Sequence, residues 1–295
     1  MYRFIVKNVL RPVIALLGSI LFGLTLFGST LAYSEETLLL NESTEATWNA
    51  SKAKSPQACV LMIHGWVSSM DEVGGMFKRL AQQLAENNIA SIRVNVRGES
   101  ERERSQYRLT STFQSRIEDA QRGYDYLTRQ CPDKPIGVVG FSLGGATAIA
   151  LAGNINNSIN SLVLWSSAVN PSEIFTNIKP QKNIRDIIEE GEGIFNEFTD
   201  ITVTKQHYLG MQGYEPLKTL HHYSGELLTV RGTEDFVPMH DLNIVNSSSS
   251  NHAEVRLIKG ANHIFNTFDT NSHSDEQVID YSEQWFVSSL LTNNK

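Results

Sequence analysis

The sequence predicts an α/β fold, a mostly parallel central sheet with helices on both faces and a small helical cap inserted late in the chain. Three observations carry this. Short apolar runs rich in Val, Ile and Leu recur along the chain, each bounded by polar residues or glycine. Amphipathic stretches of helical length separate them. One interval, residues 171–222, is far too long for a bare connection inside a compact domain and so reads as a cap. Alternating strands and helices build a parallel sheet, because a crossover between parallel strands needs a helix to cover the sheet face.

Residues 35–57 are polar and fit one short strand or a hairpin at the sheet edge. Strands are predicted at 58–63, 90–96, 136–141, 161–165, 227–231 and 254–258. Helices are predicted at 74–87, 115–130, 143–153, 238–246 and 275–290. In the last, Val278, Tyr281, Trp285 and Phe286 share one face at helical spacing. The acids of the interval, among them Asp186, Glu189, Glu190, Glu192, Glu197 and Asp200, read as a solvated helix face rather than a metal cluster.

The chain has 295 residues, 41% of them hydrophobic and 19% charged, which is globular composition and excludes a disordered or collagen-like protein. Its net charge of −7 argues against nucleic acid as a partner, since phosphate backbones call for a basic surface. Two cysteines are too few for a disulfide scaffold or a four-cysteine zinc site, and no metal or other cofactor is expected.

Residues 1–34 stand apart from the domain at 35–295. They carry Arg3, Lys7 and Arg11 and no acid, and Pro12 to Tyr33 is uncharged. A positive start, an apolar middle and small residues near Ser29–Ala32 form a secretory signal, with cleavage after Ala32 or Ser34. The 22-residue apolar run is also long enough for a retained membrane anchor. Positive residues stay inside in either case, so the domain is expected outside the cytoplasm, periplasmic, secreted or anchored.

The chemistry centres on Gly140-Phe141-Ser142-Leu143-Gly144, a G-x-S-x-G pattern between a predicted strand and a predicted helix. There the serine sits on a sharp turn, and side chains at 140 and 144 would strike neighbouring backbone. A serine hydroxyl is a poor nucleophile until a base takes its proton, and the base needs an orienting acid. In this architecture the order along the chain is serine, acid, histidine. Strand 227–231 runs into Gly232-Thr233-Glu234-Asp235-Phe236-Val237-Pro238, and strand 254–258 into Lys259-Gly260-Ala261-Asn262-His263. Asp235 and His263 are therefore the candidate acid and base at the carboxyl ends of strands. Glu234 competes with Asp235, but the Gly-x-x-Asp-x-x-Val-Pro run favours Asp235. His207, His240, His252 and His273 show no ligand spacing and read as surface. The oxyanion would be held by the backbone N–H groups of Leu143, after the nucleophile, and of Trp66, in the turn His64-Gly65-Trp66. His64 reads as a structural residue under that turn.

These residues, together with Arg97-Gly98-Glu99-Ser100, resemble the α/β-hydrolase fold superfamily over about residues 58–290. Within it the chain is similar to small-cap esterases, namely feruloyl and cinnamoyl esterases and monoacylglycerol-lipase-like or serine-aminopeptidase-like hydrolases. It departs from them at Asn95, where such families often carry Asp, and in its abbreviated edge strands. The resemblance implies Ser142, Asp235 and His263 as a triad, and a serine hydrolase acting on a small-molecule carboxylic ester. A peptidase or amidase of the same fold remains an alternative, as does a non-catalytic binding protein on a hydrolase scaffold. Ile174, Phe175, Ile178, Ile194, Phe195 and Phe198 are candidates to line an acyl pocket, or else to fasten the cap to the body. In this fold the strands beginning near Cys59 and just after Cys131 are parallel neighbours, which implies a disulfide between the two cysteines at the sheet end away from Ser142.

Overall fold

The computed structural model describes residues 34–99, 108–177, 181–196 and 200–292. The expected leader up to Tyr33, Ser100 and the pocket candidates Ile178 and Phe198 lie outside the described residues. Among those described, no helix is long and apolar enough to cross a membrane.

The polar segment before residue 58 folds as an antiparallel hairpin, Glu35–Leu40 (β1) with Thr44–Asn49 (β2). Ala58–Ile63 (β3) follows, an unbroken apolar run whose six residues are all buried, as a strand covered on both faces must be. The sheet continues with Ile89–Val94 (β4), Ile136–Phe141 (β6), Ser161–Trp165 (β7), Glu226–Gly232 (β10) and Ala253–Ile258 (β11). Its order is β1-β2-β4-β3-β6-β7-β10-β11, with every pair from β4 to β11 parallel.

Helices cover both faces. On one, Met76–Glu86 (α1) and Ser274–Leu291 (α8) pack Phe77, Leu80, Leu84, Val278, Trp285 and Phe286 against Val60, Met62, Val139, Val163, Val230 and Trp165. On the other, Phe113–Gln130 (α2) and Leu143–Ala152 (α3) bring Tyr124, Leu127, Ala148 and Leu151 onto Leu61, Ile63, Ile92, Val138 and Leu164. Successive strand residues feed opposite clusters, the period-two consequence of a pleated backbone. Thr112 starts α2 with a reciprocal cap: its hydroxyl accepts from the Ser115 N–H at 3.1 Å, and the Ser115 hydroxyl accepts from the Thr112 N–H at 2.9 Å.

The strand order reverses direction between β3 and β6. The chain leaves β3 for β4 on one side and returns to lay β6 on the other. Open α/β sheets form their crevice at such a point, at the carboxyl ends of the strands. Ile63 pairs with Gly140, so the turn after β3 and the turn after β6 emerge side by side.

The 171–222 insertion carries short helices, Glu173–Asn177 (α4), Gln181–Glu190 (α5) and Lys205–Gly210 (α6). It is not wholly helical. Glu192–Asn196 (β8) and Asp200–Thr204 (β9) form a hairpin, and β9 adds the short Arg108–Leu109 (β5). Alternation explains this: Ile201 and Val203 point into the cap's apolar cluster, while Asp200 is exposed. The helix expected from residue 238 begins instead at Asp241 (Asp241–Ser247, α7), because the segment before it is wrapped around Arg231.

Cys59 in β3 and Cys131, the residue that closes α2, are joined by a disulfide with Cα atoms 6.5 Å apart. Cys59 pairs with Ile136 at the start of β6, at the end of the sheet opposite Ser142.

Candidate active site

Ser142 occupies the turn between β6 and α3 with φ 53° and ψ −118°, a conformation that costs a residue with a side chain about 1–3 kcal/mol. Backbone bonds hold it there. Its N–H donates to the Trp165 carbonyl at 2.9 Å, and its carbonyl accepts from Gly145 at 3.0 Å and Ala168 at 3.1 Å. The flanking glycines are needed for close approach. A Cβ on Gly140 would stand 2.4 Å from the Gly144 carbonyl oxygen, and one on Gly144 would stand 2.0 Å from that of Ile63.

His263 reaches the serine from the loop after β11. Its Nε2 lies 3.0 Å from Ser142 Oγ, and its Nδ1 lies 2.8 Å from Asp235 Oδ1. The loop is braced by the Asn262 side chain, whose Oδ1 accepts from the amides of Ile264 at 3.1 Å and Asn266 at 2.9 Å. The His263 ring packs against Phe141, with centroids 5.1 Å apart, and against Phe236, at 4.6 Å.

Asp235, not Glu234, faces His263; the Glu234 residue is exposed. The Asp235 carboxylate also accepts from the Val237 N–H at 2.9 Å and from Arg231 at 2.7 Å. Burial works to raise this carboxyl. The His263 hydrogen bond and charge, the Val237 amide and Arg231 outweigh it, so its pKa lies below the ordinary value. Arg231 is itself buried in β10 and also binds Asp241 at 2.6 Å and the carbonyls of Val237 and Ser167. Sequence reasoning passed over it. The signal was a guanidinium in a largely apolar strand, four residues before the acid.

The turn after β3 abuts the elbow, since a Cβ on Gly65 would stand 3.4 Å from Ser142 Cβ. Buried charged side chains hold this turn. The Gly65 N–H donates to Glu72 at 2.7 Å and the Val67 N–H to Glu99 at 3.2 Å. Arg116 donates to the His64 carbonyl at 2.6 Å and pairs with Glu99 at 2.8 Å. His64 Nε2 accepts from the Val96 amide at 3.0 Å, which puts its proton on Nδ1 for the Gly65 carbonyl, 2.7 Å away. A trans peptide directs its C=O and N–H to opposite sides, so this bond turns the Trp66 N–H away from His64. The amides on either side of Trp66 are thus committed to carboxylates, while those of Trp66 and Leu143 donate to no acceptor among the described residues.

The acids beneath the turn differ. Burial raises the Glu72 carboxyl above its usual range, against the opposing effect of its hydrogen bonds and of His263. At Glu99 the same burial is outweighed by Arg116, His207, His64 and the Ser111 hydroxyl, and the pKa falls to about 2. His207, expected at the surface, is fully buried within the cap, on α6, and burial lowers its pKa to about 4.

Of the pocket candidates, Phe175 and Phe195 are buried in one cluster with Leu143, Val67 and Val203, and Ile174 is packed beside it. Ile194 is exposed, one residue out of phase with Phe195 on β8. Among the described residues, no group of three or more His, Cys, Asp or Glu side chains could hold a metal ion.

Sheet order, elbow and cap define an α/β-hydrolase fold. Residues 54–190 match the family model of the serine aminopeptidases, S33. Three solved structures show the extent of the likeness. Est1E from Butyrivibrio proteoclasticus is 15% identical with a TM-score of 0.66, covering 86% of this chain and 98% of its own. The esterase domain of a Rhodothermus marinus protein is 16% identical with a TM-score of 0.61, over 86% and 98%. A dienelactone hydrolase from Anabaena variabilis is 14% identical with a TM-score of 0.56, over 88% and 98%. No curated protein matches the sequence significantly.

Proposed function

We propose that the protein is a serine hydrolase that cleaves small-molecule carboxylic esters through an acyl-enzyme. The observation that carries this reading is the unbroken chain from Ser142 Oγ through His263 to Asp235, at 3.0 and 2.8 Å, on a strained strand-to-helix turn. Ser142 Oγ attacks the acyl carbonyl as His263 Nε2 takes its proton. Asp235 keeps the imidazole in the tautomer with its proton on Nδ1 and stabilises the imidazolium. The negative charge that develops on the carbonyl oxygen is met by the N–H groups of Trp66 and Leu143. Collapse expels the alcohol, which receives the proton from His263. Water, deprotonated by the same imidazole, then attacks the acyl-enzyme and releases the acid and the free serine. Atoms and charges balance without a cofactor.

Export is part of the proposal. A positive and then apolar leader and a cystine between Cys59 and Cys131 both suit a compartment outside the cytoplasm. A second reading, hydrolysis of aminoacyl amides, is favoured by the match to the serine aminopeptidase model over residues 54–190.

The test is a hydrolysis screen with nitrophenyl esters of rising chain length, hydroxycinnamate esters and aminoacyl amides, alongside labelling by a fluorophosphonate. The expected result is ester turnover with label on Ser142, both abolished in Ser142→Ala with the melting temperature retained. Label on another serine, or turnover surviving in the variant, overturns the assignment. Faster turnover of the amides selects the second reading.

A further inference from the structure

We infer that His207 is a positioning residue for the proposed hydrolysis: it accepts the Trp66 indole N–H and so couples the cap to the turn whose amide faces the reacting carbonyl. This rests on the serine-hydrolase reading above. Trp66 Nε1 lies 2.9 Å from His207 Nε2, across 141 residues of sequence. The indole N–H is a donor only, so Nε2 must be the acceptor and the imidazole proton sits on Nδ1. That proton has its own acceptor, the Ser111 carbonyl at 2.7 Å, with the Ser111 hydroxyl at 3.0 Å. The tautomer is therefore fixed from both sides. Burial keeps the ring neutral through the ordinary pH range, with a pKa of about 4, so the lone pair stays available.

The bond closes a loop of interactions. The Ser111 hydroxyl donates to Glu99, Glu99 receives the Val67 amide and pairs with Arg116, and Arg116 holds the His64 carbonyl. Residues 64 and 67 are thus tied to a buried ion pair, while Trp66, between them, is tied through its side chain to the cap. Phe175 of α4 packs edge-on against both rings, 6.3 Å from Trp66 and 6.0 Å from His207. Trp66 is only partly buried; ring packing holds the indole loosely in place, and the bond to His207 is the directional contact that fixes where its N–H points. The His64 bond to the Gly65 carbonyl sets which way the Trp66 N–H points, and the indole bond to His207 holds the same residue from the cap side; a donor misplaced by about 1 Å can cost two orders of magnitude in rate.

A histidine that merely fills the core would predict a loss of stability and nothing else. The discriminating experiment uses the full chain and four variants. Trp66→Phe removes the donor and keeps a ring, His207→Phe removes the acceptor and keeps a ring, and the double variant does both. His207→Gln restores a carbonyl acceptor near the place of Nε2. The readouts are kcat and KM for a nitrophenyl acetate ester, the second-order rate of fluorophosphonate labelling at Ser142, and the melting temperature.

Each ring variant should lose about ten- to a hundredfold in kcat and in labelling rate, with KM changed by less than about threefold, a smaller loss than deleting an oxyanion donor outright. The double variant should be no worse than either single one, because both remove the same bond, and His207→Gln should recover most of the loss. Wild-type labelling rates in Trp66→Phe and His207→Phe, with only the melting temperature lowered, overturn the inference. Additive losses in the double variant do the same. If His207→Phe does not fold, Trp66→Phe decides alone, since its ring is retained. Failure of the wild type to label at Ser142 is a separate outcome that removes the underlying reading as well.

Discussion

Reducing the Cys59–Cys131 disulfide should destabilise the domain and leave the proposed hydrolysis unchanged at room temperature. The two residues are 72 apart in sequence. In the chain-entropy model, opening a loop of that size returns about 4 kcal/mol of conformational freedom to the unfolded state. For a domain of this size that is a fall in Tm of roughly 8–16 °C. Both cysteines are buried, so the bond must be reduced in denaturant and the protein refolded in dithiothreitol. The assay is guanidinium unfolding of the oxidised and the reduced protein, with ester hydrolysis measured on each at 25 °C. Cys59 pairs with Ile136 at the start of β6, and Ser142 follows the far end of that strand, about 20 Å away at 3.3 Å per residue. Coincident unfolding midpoints would refute the stabilising role. A hydrolysis rate lost while the reduced protein is still folded would refute the separation of bridge and site.

The acid can be tested by a pair of variants: Asp235→Asn should cost about four orders of magnitude in kcat, by analogy with the equivalent loss in a serine protease, and Glu234→Gln, at an exposed position, little. The reverse order would mean the wrong carboxylate has been assigned. Stability should also fall with acid in a defined window. The folded His207 has a pKa of about 4, below the ~6.5 of an unfolded histidine, so between these values only the unfolded chain takes up the proton. The loss across the window is about 3 kcal/mol. Glu99, held at about 2, adds a further loss as pH falls below the usual carboxylate range. Thermal melts of His207→Phe from pH 7 to 4 should show a flatter limb than wild type, and an unaltered slope would assign the loss to another group.

Much of the fold was legible because it is written in local periodicity. The six central strands read from their apolar runs to within a few residues, and α8 from one face of Val278, Tyr281, Trp285 and Phe286. The cap hairpin was missed because β8 and β9 are only five residues each, and Ile194 and Phe195, adjacent in sequence, look alike until the strand sends one outward and one inward. His207 was missed for a different reason. Nothing near it in sequence distinguishes a buried histidine from a surface one.

By itself the sequence determined what a short span of chain must obey. Gly140 and Gly144 mark an elbow because no Cβ fits there, and a strand followed by a polar loop places Asp235 and His263 at the sheet's carboxyl edge. The tertiary structure decided which buried charges and donors meet. Arg116 with Glu99 and the His64 carbonyl, Arg231 with Asp235 and Asp241, and Trp66 with His207 are partners brought together by packing. A polar group withdrawn from water must find a partner in the folded interior, and for the Trp66 indole that partner lies 141 residues along the chain, where no local pattern points to it.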